Sequence, residues 1–441
     1  MSKRTKPDIQ GLTDFALKKI KGLHVSEAEI TCSQENGLSI EVRLGDVETL
    51  THHLDQQFSV TIYDQNRTGT ASSTDLSENA VLQTIEKAVS IARFASPDVY
   101  AGLPEKDRLA YSYPDCDLFY SWDITTHDMI ALAIECEKMA CSDPRISNSE
   151  GVSVSTFKSD AIMANTLGFV GRYPVTQHAI SCSLLAKDKG KMQRDYSYSV
   201  ARNPNKLKSY VDIAKDAAER TAKRLNTKSI KTQKCPVIFE APVAKSLLRS
   251  FVGAISGGNL YRQSSFLLNS LNQTIFPDFI DIYQQPHLLG AMGSRPFDSE
   301  GVKTCDQHYV EKGRLSRYAL GSYSARKLGL SSTGNAGGVF NLSISHSDLS
   351  LPELLKEMGT GLFVTELMGQ GVNLTTGDYS RGASGFWVEN GEIKYPVEEI
   401  TVAGNLRDMF QSIRAIANDT DCRGSIRTGS ILINQITVAG Q

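Results

Sequence analysis

The sequence predicts an α+β fold in three consecutive units, with antiparallel sheet concentrated in the last. Apolar residues recur at helical spacing in some segments and alternate with polar ones in others, and both kinds occur in each third of the chain. The 441 residues are 40% hydrophobic and 22% charged, an ordinary globular composition with enough apolar content for a core in every unit.

In the first unit, residues 1–100, a helix is expected near Ile9–Gly22. The strand-like stretches AEITCSQ, LSIEVRL and FSVTIYD follow, with turn residues between them. A second helix carries Val81, Leu82, Ile85, Ala88, Val89 and Ala92 on one face. Asp75 is its expected cap, with Glu78 three residues on, and Ser96-Pro97 stops it. Tyr100–Tyr120 follows neither period and reads as a connection. The second unit, residues 101–234, sets a helix over His127–Cys141 beside strand-like runs in Gly151–Val200 and a helix near Lys208–Leu225. The third unit, residues 235–441, opens with the buried-strand candidate PVIF. A helix over Val243–Ile255 comes next, with Pro242 in its first turn and Val243, Leu247, Leu248, Phe251, Val252 and Ile255 on one face. Hairpins are expected around Lys312-Gly313 and Asn390-Gly391. A helix over Leu406–Ile416 and the strand SILINQITVAG close the chain.

Charge and composition exclude several classes. With 47 basic and 49 acidic residues the net charge is -2, so no chain-wide field recruits nucleic acid or an anionic membrane. Nine Lys/Arg lie between Lys206 and Lys234 against three acids, and with only Tyr210 among them they read as a solvated helix face. The longest uncharged run, Leu328–Ser347, is too rich in Ser, Gly and Asn to span a bilayer. Eight scattered cysteines and the lack of a signal-peptide pattern make a reducing cytoplasm the expected location. There is no GxSxG, no P-loop and no CxxC, and none of the eight histidines is followed by Glu. The glycine clusters GAISGGNLY, GTGLFVTELMGQGVN and GDYSRGASGF allow two readings. They are turns and bulges, or they line a cleft that grips an extended peptide through main-chain pairing. In the second reading Gly361, Gly371 and Gly385 are the substrate-binding candidates.

The segments PFDSEGV, YSARKLGL, STGNAGG, KEMGTGLFVTELMGQGVN, TGDYSRGASGFWVENGEI and YPVEEITVAGNL resemble the TldD/PmbA metallopeptidase family, once described as modulators of DNA gyrase. The likeness runs over essentially the whole chain. It implies a cytoplasmic peptidase assembly acting on extended or unfolded peptides, in peptide maturation and antitoxin degradation. In the TldD branch the zinc helix has the form Leu-Leu-His-Glu-x-x-Gly-His. Here the matching stretch is Leu247-Leu248-Arg249-Ser250-Phe251-Val252-Gly253-Ala254. The frame is kept, but Arg249, Ser250 and Ala254 stand where the two ligands and the general base belong. Arg has donors and no acceptor, Ala offers nothing, and Ser is no carboxylate. That branch also uses a cysteine ligand near its C-terminus, a role the resemblance does not carry over to Cys422. The resemblance therefore implies no metal and no catalytic residue in this chain. Zinc is expected in a TldD-like catalytic partner, with this chain completing the substrate cleft and inactive alone. A surface shaped for a related chain could also pair with a copy of itself. Two alternatives stand beside this one: a non-proteolytic regulator of gyrase or of an RNA-binding regulator, and a peptidase with unrecognised metal ligands.

Overall fold

The computed structural model describes residues 8–188 and 190–440. Helix α1 (Ile9–Lys21) starts at Asp8, whose carboxylate accepts from the Gln10 N–H, and it buries Ile9, Ala16 and Ile20. Strands β1 (Glu27–Arg43), β2 (Asp46–Asp64) and β3 (Arg67–Ser73) follow. The expected break between AEITCSQ and LSIEVRL does not exist. Gly37 sits inside β1, opposite His53 on one side and Phe157 on the other. Pairing on both sides satisfies the backbone there and overrides the local turn preference of Glu-Asn-Gly. Helix α2 (Glu78–Phe94) is capped by Ser77, whose hydroxyl accepts from the Ala80 N–H. Asp75, the expected cap, accepts from the Ser77 N–H instead.

A connection with one short 3-10 turn, Lys106–Arg108, leads to α3 (Thr126–Ala140), which starts in a Thr125/Asp128 capping box. Then come β4 (Ile146–Asn165), β5 (Val170–Arg172), β6 (Val175–Asp188), β7 (Lys191–Ala201) and α4 (Tyr210–Lys223). The strand order is β3-β2-β1-β4-β6-β7, with β5 beside β4. One antiparallel sheet thus runs through both of the first two units, and the expected boundary at residue 100 separates two stretches of sequence but not two sheets. The long β1–β4 pairing, from Glu29–Asn165 to Val42–Val152, joins them. Helices α1 and α2 cover one end of a single sheet face over Ile30, Cys32, Phe58 and Ile162. Helices α3 and α4 cover the other end over Ile40, Val42, Val154 and Cys182. Between the two pairs lies an open cleft of about 1450 Å³.

The third unit contains β8 (Gln233–Phe239), α5 (Ala241–Ile255), α6 (Gly257–Tyr261), β9 (Ile282–Gln284), β10 (Gln307–Glu311), β11 (Arg314–Leu315), α7 (Ser322–Leu328), β12 (Leu342–Ile344) and α8 (Leu351–Met358). It ends with β13 (Gly361–Met368), β14 (Asp378–Glu389), β15 (Glu392–Asn405), α9 (Leu406–Gln411), β16 (Ile413–Ile416), β17 (Ile426–Arg427) and β18 (Ile431–Ala439). One sheet is ordered β11-β10-β9-β12-β17. The other is β15-β14-β13-β8-β18-β16, and β15 also pairs with β18, so it closes on itself at one end. Both expected hairpin turns have two successive left-handed residues, Lys312-Gly313 and Asn390-Gly391. The helix expected over Leu406–Ile416 stops at Gln411, because Ile413–Ile416 is drawn into pairing with β18.

The basic run 206–234 is not wholly a solvated face. Arg224, at the C-terminal cap of α4, is buried against Asp195, with Nε–Oδ2 at 2.7 Å, and reaches Glu366 and the Ser384 hydroxyl in the third unit. Arg220 forks onto the Glu240 carboxylate, the closer oxygen at 2.9 Å.

The first sheet meets the third unit around a pocket of about 410 Å³ lined by Glu29, Tyr63, Asp98, Glu300 and Tyr323. Burial pushes the Glu29 carboxyl up to about 7, opposed by the Tyr63 hydroxyl and aided by Glu300. Burial likewise pushes Asp298 up to about 7, although three backbone N–H groups donate to it. These folded-state values lie above the unfolded ones, so the folded chain retains protons that the unfolded chain has released. Stability should therefore fall as pH rises from the ordinary carboxylate range to about 7, by on the order of 1–3 kcal/mol per group. Glu29→Gln keeps an acceptor for Tyr63 and is expected to flatten that fall. Melting temperatures of both proteins across the window check it, and parallel curves would contradict it.

Candidate functional site

The candidate site is built on α5 and the loops against it. The Glu240 N–H donates to the Val364 carbonyl of β13, while the Glu240 carbonyl accepts from the N–H groups of Val243 and Ala244. The sheet thereby fixes where α5 begins, and Pro242 occupies its first turn. Of the face that the helical spacing predicted, Leu247, Leu248, Phe251 and Ile255 are buried, while Val243 and Val252 are half-buried against the same core; Ala244 and Ala254 are buried as well. The Phe251 ring lies edge-on to Phe276 and Phe410, at centroid distances of 5.5 and 6.3 Å. Phe251→Ala should cost about 3–5 kcal/mol, read as a lowered denaturation midpoint. A loss below 1 kcal/mol would mean that this face is not the packed one.

The three positions matching the zinc motif face different surroundings. Arg249 is exposed. The partly exposed Ser250 hydroxyl donates to the Ser246 carbonyl at 3.0 Å. Ala254 is fully buried in the core. Residues i and i+5 on a helix differ by about 140° in direction, which accounts for one outward and one inward position. These side chains do not fit zinc: a guanidinium has no lone pair to give, a methyl has none, and a hydroxyl already donated along its own helix is no carboxylate base. Among the described residues, no three His, Cys, Asp or Glu side chains are arranged to hold a metal ion.

Polar groups that the sequence did not single out surround α5. Lys245 reaches Asp421 at 2.9 Å, and Arg423 grips the same carboxylate while stacking over the Tyr198 ring at 4.2 Å. Burial alone would raise the Asp421 carboxyl, but Arg423, its backbone N–H and Lys245 hold it at about 2. Burial also lowers the Lys245 ammonium, against the pull of Asp421. This ion triad fastens the loop carrying Cys422 to the helix one turn before Arg249. Cys422 itself is exposed, and its Sγ accepts from Arg427 at 3.3 Å. On β14, burial pushes the Tyr379 hydroxyl up to about 12, with Arg381 and Ser246 opposing. Lys245 and Asp421 are remote in sequence, so no local spacing could have revealed their pairing.

The three candidate glycines are placed against main-chain peptide gripping. Gly361 and Gly385 lie in β13 and β14, each flanked by strands on both sides. A Cβ on Gly361 would stand 2.3 Å from the Pro236 carbonyl oxygen, and one on Gly385 would stand 2.0 Å from that of Phe363. At Gly371 it would stand 1.7 Å from the Ser380 carbonyl oxygen, and the Gly371 carbonyl already accepts from the Ser380 N–H. These glycines serve close backbone approach within the sheet.

The chain matches known proteins along its whole length. Residues 28–92, 119–225 and 232–440 correspond to PmbA/TldA metallopeptidase domain 1, its central domain and its C-terminal domain. The Metalloprotease PmbA of Escherichia coli O157:H7 is 47% identical over 94% of this chain and 92% of its own length. This chain belongs to the PmbA/TldD metallopeptidase family. A Metalloprotease PmbA homolog of Haemophilus influenzae is 42% identical over 94% of this chain and 92% of that one. A solved structure from Bacteroides thetaiotaomicron, described as a modulator of DNA gyrase, has a TM-score of 0.91 at 27% identity and covers 98% of both chains. TldE from Thermococcus kodakarensis shares the fold, with a TM-score of 0.79 at 19% identity over 98% of this chain and 99% of its own. The family's domain 1 and central domain are the two halves of the single β1–β7 sheet.

Proposed function

We propose that this chain is the non-catalytic subunit of a cytoplasmic zinc peptidase. A TldD-like partner holds the metal, and this chain completes the cleft for extended or unfolded peptides. The observation that carries the reading is α5. It buries Leu247, Leu248 and Phe251 of the frame that the resemblance assigns to the zinc helix, and carries Arg249, Ser250 and Ala254 where that motif has its ligands and base. A packed helix without ligands suits a pseudosymmetric pair in which one subunit needs a working site. The chain's own residues supply neither a lone-pair donor at 249 or 254 nor a carboxylate at 250, so they hold no proton acceptor for a metal-bound water.

The test is cleavage of an unstructured peptide by this chain, by its TldD-like partner and by the mixture, with zinc measured in each. Cleavage is expected only with the partner present and strongest in the mixture, with no stoichiometric zinc on this chain. Cleavage by the chain alone, with one equivalent of zinc lost on replacing a histidine, would overturn the proposal.

A further inference from the structure

The first half of β2 is an open sheet edge. Strand β3 pairs with β2 only from Phe58 to Asp64, so among the described residues no strand lies outside Asp46–Gln57. On its inner side this segment is held by β1, in unbroken register from Glu41–Thr49 to Ser33–Gln57. In an antiparallel strand every second residue turns its N–H and C=O away from the paired neighbour, so residues 49–57 offer about four such sets to solvent. Edges of this kind are ordinarily blunted by Lys, Pro or a bulge. Residues 49–57 contain no Lys, Arg or Pro, and the β1–β2 register shift falls before them, at Glu41/Val42. Leu50 and Leu54 stand there instead, 51% and 65% exposed, with Val47 at 42% just before them.

The edge also borders the large cleft. His52, Leu54 and Gln56 form the cleft's margin at β2, and its lining continues through Leu38 to Trp122. Its rim carries Asp8, Glu35, Asp55 and Asp75. Against Lys158 and Arg172, the lining carries five carboxylates, Asp8, Glu35, Asp55, Asp75 and Asp160, and Arg172 is paired with Asp160 at 2.7 Å. Among the described residues the lining is therefore net negative.

We propose that the β2 edge binds an extended polypeptide segment by strand addition. Main-chain hydrogen bonds to residues 49–57 hold the segment. Its alternate apolar side chains cover Leu50 and Leu54, and its Lys or Arg side chains face the acidic rim. A second copy of this chain fits less well, because residues 46–57 carry Asp46, Glu48 and Asp55 with no Lys or Arg, and two such strands would oppose like charges. The inference goes beyond the proposed pairing with a zinc subunit. It concerns binding by this chain alone, so either proposal can fail without the other.

The experiment is fluorescence anisotropy of the full chain with a fluorescein-labelled nonapeptide alternating Leu and Lys, and with two N-methylated versions. One version blocks the odd backbone nitrogens and the other the even ones. Saturable binding that weakens with salt is expected, with one N-methyl pattern weakening it at least about tenfold and the other leaving it nearly unchanged. Leu50→Lys combined with Leu54→Lys, both exposed, should weaken binding at least about tenfold with an unchanged melting temperature. The proposal is overturned if the parent peptide does not bind, or if both N-methylated peptides bind as it does. It is also overturned if sedimentation shows a dimer of the chain that the double variant dissolves, since the edge would then belong to a copy.

Discussion

Gly385→Ala is expected to destabilise the third unit by more than about 3 kcal/mol, enough to deplete soluble folded protein, whereas Gly382→Ala in the same strand should cost under about 1 kcal/mol. Both residues lie in β14 opposite β13. A Cβ at 385 would sit 2.0 Å from the Phe363 carbonyl oxygen and 2.9 Å from the Val364 Cα, atoms of a backbone pinned between β14 and β8. Neither can yield without breaking ladder hydrogen bonds. At 382 the nearest atom is the Met368 Cβ at 3.4 Å, an ordinary contact. Denaturant unfolding of the two variants measures the contrast directly. Equal stabilities would show that β13 and β14 are farther apart than described, and would return Gly385 to the substrate-binding candidates.

Asp195→Ala should cost about 3–5 kcal/mol, and Arg224→Met distinctly less. Asp195 is 5% exposed and receives Arg224 Nε at 2.7 Å and Arg220 Nε at 3.5 Å. Removing it takes from Arg224, itself scarcely exposed, its closest buried counter-charge and leaves Glu366 and Glu240 to balance the two neighbouring guanidinium groups. Removing Arg224 instead leaves Asp195 still facing Arg220, and Met refills much of the volume. Because Arg224 also touches Glu366 and Ser384, the loss should loosen the seam between α4 and the third unit. Chemical denaturation of both single variants and the double variant gives the coupling energy. A cost below 1 kcal/mol for Asp195→Ala would mean that the network is hydrated and contributes nothing.

The helix of the candidate site was legible because its evidence is local. Apolar spacing over Val243–Ile255, Pro242 in the first turn and the Leu-Leu…Gly frame all lie within one short stretch, and the structure keeps every one. The glycines left two readings open for the opposite reason. A glycine's freedom is visible in a sequence, but whether it admits a ligand's backbone or a neighbouring strand's depends on what stands opposite, and at 361, 371 and 385 that is a carbonyl of this same chain. Arg224 reads as a surface charge until Asp195, Glu366 and Ser384 converge on it from three other segments.

By itself the sequence determined the α+β class, α1 to α5 to within a few residues, both left-handed hairpin turns and family membership. Each depends on side-chain periodicity, a turn residue's φ preference or a run of matched residues, and all of these act over a few positions. Tertiary structure alone decided three things. It carried β1 unbroken through Glu35-Asn36-Gly37 and merged the first two units into one sheet, because two-sided strand pairing outweighs a local turn signal. It recruited Ile413–Ile416 from the predicted helix into β16, because β18 offered a partner for their backbone. It also left the first half of β2 without an outer strand among the described residues, which no pattern within β2 could disclose, since an edge is defined by the strand that does not arrive.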